Sequence, residues 1–344
     1  MKNLESLRQS RMKLKAVKAK AFKISQSELI KVEFLQPEQP LPLVVKPAVD
    51  GLDLVKWSAT NREFIEINLL RYGGILFRGF QVESVLEFES LIKVISGELI
   101  EYSYYSTPRS KVDGNIYTST EYPANQFIPL HNEMAYASSW PMKIWFFCME
   151  AAEQGGETPI ADSRKIFQRI DLKVKEQFLQ KKIMYIRNYR EGLDLQWENV
   201  FQTHNRLEVE AYCRQAGIEF EWKDENQLRT RQVCQAVAVH PKTGETVWFN
   251  QAHLFHVSSL ESEVHDFLLS NLSELDLPRN AYYGDGSAIE NSVLDEIREI
   301  YQQEAITFPW QKGDILMLDN MLVSHGRRPF SGSRKVVVGM AEPL

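Results

Sequence analysis

The chain is short of cysteine. Its 344 residues hold three, Cys148, Cys213 and Cys234, odd in number and without a Cys-x-x-Cys spacing. A disulfide framework and a cysteine-built zinc site are thereby excluded, and the three read as reduced, buried thiols. Long apolar runs are missing too, since no stretch approaches the roughly 18 residues that a bilayer span needs. The basic N-terminus is not followed by an uninterrupted apolar segment. No secretory signal is expected, and the cytoplasm is the default compartment. An excess of one charge is also lacking. A net charge of −6, with 25% charged residues, gives no general attraction to nucleic acid. There is no internal repeat and no low-complexity tract.

What is present is 44% hydrophobic residues, enough for one large core. The charge is unevenly spread. Residues 1–23 carry eight Lys or Arg against one acid, Glu5. Residues 1–28 read as a basic arm, either a solvated leader or a docking surface for an acidic partner. Residues 29–344 read as a single domain with an insertion around 176–235.

Periodicity sketches the elements. Thr60 and Glu63 fit a capping box for a helix that Gly73-Gly74 ends. Ile75–Phe80 reads as a buried strand and 84–96 as an amphipathic helix. Beyond residue 100, short aromatic and β-branched runs alternate with turn residues, with one helix near Ser163–Asp171 and strands at Thr246–Asn250, Asp314–Leu318 and Lys335–Met340. Two further helices are expected near Glu261–Leu272 and Ser292–Gln303. The expected fold class is mainly β with flanking helices, a sandwich or barrel.

The chemistry centres on Leu130-His131-Asn132-Glu133-Met134 and on Asp319-Asn320-Met321-Leu322-Val323-Ser324-His325-Gly326-Arg327. Residues two apart on a strand share a face, so His131 and Glu133 can point together. His325 joins them only by folding. Two His and one carboxylate on one face of a metal is the arrangement of non-haem Fe(II) oxygenases. His253 and His256, three apart, are the competing metal pair. Asp162, ahead of an apolar-periodic helix, reads as an N-cap. Asp314 belongs to a Gly-Asp turn, and Asp319 to a turn or to support for the last ligand.

Several motifs in order make the pattern specific: Tyr72–Phe80, Leu130–Met134, Gly155-Gly156-Glu157-Thr158-Pro159-Ile160-Ala161-Asp162-Ser163-Arg164, His240–Glu245, and Gly313-Asp314 through Arg334. Over roughly residues 40–344 the chain resembles the taurine dioxygenase-like, clavaminate-synthase-like Fe(II)/2-oxoglutarate oxygenases, and within them the SyrP-like branch associated with nonribosomal peptide synthesis. The resemblance implies a distorted double-stranded β-helix, or jelly roll. It implies His131, Glu133 and His325 as iron ligands, and 2-oxoglutarate and O2 as cosubstrates. Arg334 matches the residue that holds the distal carboxylate of 2-oxoglutarate, and Thr158 its hydroxyl donor. Asn250 and Arg328 are expected to touch substrate, while Arg327 faces either the pocket or the surface.

The resemblance further implies a hydroxylase of an unactivated C–H bond, at the β-carbon of an amino acid that is free or tethered to a peptidyl carrier protein. Glu133 argues against halogenation, because family halogenases leave that position to chloride. A desaturase or cyclising oxidase would use the same centre, and a non-catalytic regulatory protein would keep the fold alone. Tyr282–Gly286 and the segment after Pro108 are turn-rich and are expected to form a lid. The basic arm is a candidate contact for an acidic carrier. Nothing suggests nucleic-acid or membrane partners.

Overall fold

The structure is a computed structural model and describes residues 28–101, 104, 109–119, 122–190, 192–223 and 227–344. The expected basic arm lies outside the described residues, apart from Glu28. No helix among the described residues is long and apolar enough to cross a membrane.

The strand Pro141–Glu150 is the centre of the molecule. Eight of its ten residues are buried, so both of its faces are covered. Side chains alternate along it: Trp145 and Phe147 enter one apolar cluster, and Ile144, Phe146 and Cys148 enter another. It pairs antiparallel with Ile315–Asp319 on one side and with Lys335–Pro343 on the other. Around this trio the major sheet has eight strands, in the order Ile30–Gln36, Gln39–Pro47, Gly74–Phe77, Ile315–Asp319, Pro141–Glu150, Lys335–Pro343, Ile116–Thr118, Lys111–Asp113.

One face of this sheet packs on the helices Leu54–Thr60, Arg62–Tyr72 and Val85–Ser96 through Leu69, Phe88, Leu91 and Ile92. Ser84 and Glu87 form a capping box on the last of these. The capping box expected at Thr60 and Glu63 is absent. The Thr60 hydroxyl instead donates to the Trp57 carbonyl at 3.0 Å and so belongs to the preceding helix, while Asn61 opens the next. The other face packs on a three-stranded sheet, in the order Ile128–His131, Val323–Arg327, Ile160–Asp162. The candidate ligands lie in or beside this small sheet.

A four-stranded sheet of Glu219–Trp222, Leu228–Cys234, Ile183–Tyr189 and Arg279–Tyr283 builds the remaining core. Segment 176–235 supplies three of these strands. The Tyr185 hydroxyl accepts the Gln251 amide at 2.7 Å, which ties this layer to the rest.

The expectation of a mainly β chain needs correcting. Ten α-helices are found among the described residues, and helix and strand claim nearly equal shares, so the fold is mixed α/β with several sheets. Between Ser163 and Gln215 there are four helices where one was expected. Leu172–Lys181 shows why: four of its ten residues are charged, and the apolar face is reduced to Val174 and Phe178, four apart. Asp162 caps the helix Ser163–Arg169, accepting the Arg164 amide at 2.9 Å.

Candidate metal centre

His131 is the last residue of its strand, and register places His325 directly opposite it on the antiparallel neighbour. The two rings lie 4.6 Å apart between centroids. The register shifts between His325 and Arg327, a bulge that re-aims the strand end. Gly326 permits it, because a Cβ there would stand 2.5 Å from the Ile128 carbonyl oxygen.

Glu133 does not share that strand, which corrects the idea that strand alternation aims it. The strand ends at His131, Glu133 lies in the following turn, and Met134 has φ +56°. A buried amide cluster holds this turn. Asn320 Oδ1 accepts the Glu133 amide at 2.7 Å, and Asn320 Nδ2 donates to the Glu133 and Pro141 carbonyls at 2.9 and 2.8 Å. Gln251 Nε2 donates to the Asn132 carbonyl at 2.7 Å, and Asn132 Nδ2 to the Asn320 carbonyl at 2.7 Å. Turn strain at a residue such as Met134 persists where the surroundings over-determine it, as here.

His131, Glu133 and His325 offer donor atoms that all lie within 4.8 Å of one another, the one such group among the described residues. His131 Nδ1 sits 2.8 Å from the Pro129 carbonyl, so it carries the proton and leaves the Nε2 lone pair for a metal. His325 Nε2 lies 3.8 Å from Glu133 Oε2, while its buried Nδ1 has no hydrogen-bond partner among the described residues. Burial lowers the pKa of both rings, that of His325 well below the ordinary imidazole value, with His131 and Arg109 adding to the effect. For His131, Glu133 opposes the shift in part. Both rings are therefore neutral near pH 7, the form that binds a metal. Two neutral imidazoles and one carboxylate suit a divalent iron, and the residues fit it.

Two chambers meet at His131. The first is lined by Arg109, Ser119, Ile128, Phe146, Thr158, His325, Arg327 and Arg334. Arg334 donates from Nε to the Gly156 carbonyl at 2.9 Å and from Nη1 to Ser119 Oγ at 3.2 Å. Gly156 lets it lie there, because a Cβ would meet Arg334 Cδ at 2.9 Å. No carboxylate among the described residues pairs with the Arg334 guanidinium, and burial, with Arg327 beside it, lowers its pKa to about 10. It stays charged at neutral pH and is ready for an anion. Thr158 Oγ1 accepts from Trp310 Nε1 at 3.1 Å, which leaves its own proton to donate.

The second chamber is lined by Tyr122, Phe127, Ile128, Pro129, Glu133, Gln251, Leu254, Phe255 and Arg279. Its one cation, Arg279, is held by Asp194 and lies over the Phe255 ring.

The structure thus brings His131, Glu133, His325, Thr158 and Arg334 together and leaves others apart. Asn250 is buried, with Nδ2 on the Ala236 carbonyl and Oδ1 taking the Ala252 amide, and lines neither chamber. Arg328 is exposed and lines neither. Arg327, left open by the sequence, lines the first and is buried. His253 Nε2 lies 3.0 Å from the Leu130 carbonyl, its ring stacked on Tyr301, and His256 Nδ1 faces Ser258. Tyr282 and Tyr283 end a strand, and the turn after them borders neither chamber. Sequence reasoning missed Arg109, Ser119, Gln251, Arg279 and the Asn320 clamp. A polar residue facing a site from another element carries no local spacing signal. Asn320 and Gln251 sat within stretches already singled out, Asn320 beside the last candidate ligand and Gln251 beside Asn250.

This arrangement of small sheet, ligand triad and cationic chamber defines a non-haem iron oxygenase that takes an oxo-acid cosubstrate. The family comparison makes that particular: the chain belongs to the taurine catabolism dioxygenase TauD, TfdA family, whose model matches residues 37–340. It is an Fe(II)/2-oxoglutarate-dependent dioxygenase with a His-Glu-His candidate triad. It is 44% identical over 311 residues to the dapdiamide synthesis protein DdaC of Enterobacter agglomerans, covering 87% of this chain and 94% of that one. It is 28% identical over 342 residues to a clavaminate synthase-like protein of Arabidopsis thaliana, covering 92% and 100%. In fold it is similar to PvcB of Pseudomonas aeruginosa, with TM-score 0.54 at 15% identity and 92% of each chain covered.

Proposed function

We propose that this dioxygenase hydroxylates an unactivated C–H bond, at the β-carbon of an amino-acid-like substrate in natural-product biosynthesis. The observation that carries the reading is the meeting of two unlike chambers at His131, one cationic and one mixed aromatic and polar. The relationship to a dapdiamide synthesis protein supports the setting. Glu133 fills the position that a family halogenase would leave to chloride, which favours hydroxylation.

The roles divide as follows. Arg334 and Thr158 take the distal carboxylate of 2-oxoglutarate, a guanidinium fork and a hydroxyl from two loops that each lead into a strand. His131, Glu133 and His325 would hold the iron, which together with the cosubstrate would supply the oxidising power for the C–H bond. Tyr122 and Phe127 flank the second chamber and exclude water, while Gln251 and Arg279 offer donors to a substrate carbonyl or carboxylate. Asn250 and Arg328 then act outside the substrate contacts. The substrate is an amino acid, free or presented on a peptidyl carrier protein, and the basic arm is the part of the chain that suits an acidic carrier. Residues 29–344 act as one catalytic unit, since the two chambers draw side chains from Arg109 to Arg334. The three unpaired, buried thiols suit a reducing cytoplasm.

An anaerobic titration with Fe(II) and 2-oxoglutarate tests the centre through the metal-to-ligand charge-transfer band. Wild type is expected to show it, and His131→Ala to lose it. A wild type without the band that also fails to retain 2-oxoglutarate overturns the reading. With a substrate in hand, product mass separates hydroxylation, a gain of one oxygen, from desaturation, a loss of two hydrogens.

A further inference from the structure

Gln251 lines the second chamber and is almost wholly buried, at 3% exposure. Most of the residue is committed. Its backbone amide donates to the Tyr185 hydroxyl and its Nε2 to the Asn132 carbonyl, both at 2.7 Å. A carbonyl only accepts, so the second contact fixes which end of the carboxamide is nitrogen, and it leaves one Nε2 proton for a substrate carbonyl. The oxygen end, Oε1, accepts no hydrogen bond among the described residues. The anchors on either side are themselves held. Tyr185 packs edge-on against Phe255, another wall of the chamber, and Asn132 is tied to Ser163 and Asn320. The carboxamide is therefore fixed with an unmatched acceptor at the chamber wall.

A buried acceptor without a partner is costly to the fold, and an occupant that brings an N–H removes that cost. The charge around the site selects the kind of N–H. The neighbouring chamber is lined by the guanidiniums of Arg109, Arg327 and Arg334, and a divalent metal at the triad adds two charges against one ligand carboxylate. An ammonium would enter that positive field and give up its water for one neutral acceptor. An amide N–H brings no charge to desolvate and satisfies Oε1 in full. Phe127, Pro129, Leu254 and Phe255 offer apolar walls to the flanks of such a group.

We propose that Gln251 reads an amide N–H of the primary substrate through Oε1. The inference rests on the oxygenase reading above and narrows its substrate class. The amino-acid-like substrate carries a neutral amide, on its side chain or on its acylated amine, where it meets this wall. An isosteric ester lacks the donor and is rejected, because it leaves the buried acceptor unmatched.

The test uses the full chain loaded with Mn(II) and 2-oxoglutarate without oxygen. Three small probes are titrated: N-methylacetamide, methyl acetate, which has O in place of the N–H, and methylammonium. Relaxation of the probe methyl protons by the bound Mn(II), read by NMR, gives each affinity and places the probe beside the metal. Wild type is expected to prefer the amide to the ester by about fivefold or more. Gln251→Leu, which keeps the bulk and removes the acceptor, should bring that ratio to about one with the ester's affinity unchanged. A purely structural role would weaken both probes alike and leave the ratio standing. Gln251→Glu, which keeps an acceptor and adds a charge, should move the preference toward methylammonium, and it carries the test if the Leu variant does not fold. A wild type that binds no probe, shows no preference for the amide or takes methylammonium above it overturns the proposal, as does a ratio that survives in Gln251→Leu. A wild type that fails to load Mn(II) and 2-oxoglutarate overturns the oxygenase reading itself, before any probe is added.

Discussion

Asn320 accepts the Glu133 amide and donates to the Glu133 carbonyl, so one neutral side chain sets the turn from which a candidate metal ligand is aimed. Partners of this kind typically govern metal affinity by 10–100-fold. Asn320→Ala is expected to weaken Mn(II) or Fe(II) binding by roughly that factor, with unfolding still cooperative, as read by equilibrium dialysis and circular dichroism. The triad itself was legible in the sequence because its donor types are chemically restricted. Its aiming was not: the Asn320–Glu133 pair spans 187 residues and leaves no periodic trace. His253 makes a pH prediction. Burial holds its pKa down at about 3, against an ordinary value of 6.5. The folded protein keeps this ring neutral while the unfolded chain protonates it. Its contribution to stability is therefore whole above pH 6.5 and is lost as pH falls through the window down to about 3, at up to about 1.4 kcal/mol per pH unit. Urea midpoints at pH 7, 6 and 5 should fall in wild type and fall less steeply in His253→Gln.

Among the elements, the segment 122–127 depends on Arg327. Its guanidinium bonds three carbonyls of that segment, at 3.0, 2.7 and 3.1 Å, and the Phe330 amide donates to the Ala124 carbonyl at 2.9 Å. The same segment carries Tyr122 and Phe127 into the second chamber. Arg327→Lys, which loses the planar fork, should raise amide exchange across 122–127 and increase KM for the primary substrate several-fold, with Mn(II) affinity unchanged. Strands covered on both faces were legible, while those of the four-stranded sheet were not. Pro141–Glu150 announces itself by Ile144-Trp145-Phe146-Phe147, since a strand covered on both faces must be apolar throughout. Helices such as Leu172–Lys181 and Arg206–Gln215 bury only one or two side chains each, and so resemble a charged loop in one dimension.

At the scale of the molecule, the site is a seam. Its ligands come from strands and turns that begin far apart in the chain and meet where the small sheet leans on the major one, so a ligand bound there crosses between layers. Anything that binds the folded form alone stabilises it by mass action, by about 2.7 kcal/mol at a hundredfold excess over Kd. Mn(II) with 2-oxoglutarate should raise Tm by several degrees in a thermal scan. EDTA should reverse the rise, and Glu133→Ala should show none.

The bond from Trp310 Nε1 to Thr158 Oγ1 gives the chamber a built-in optical reporter. If Thr158 gives its proton to a carboxylate in the chamber, its oxygen becomes a better acceptor for the indole, so an occupant next door is expected to shift the emission of Trp310. Loading can then be timed by fluorescence in a stopped-flow instrument, with Zn(II) in place of a quenching metal and no dye attached to the protein.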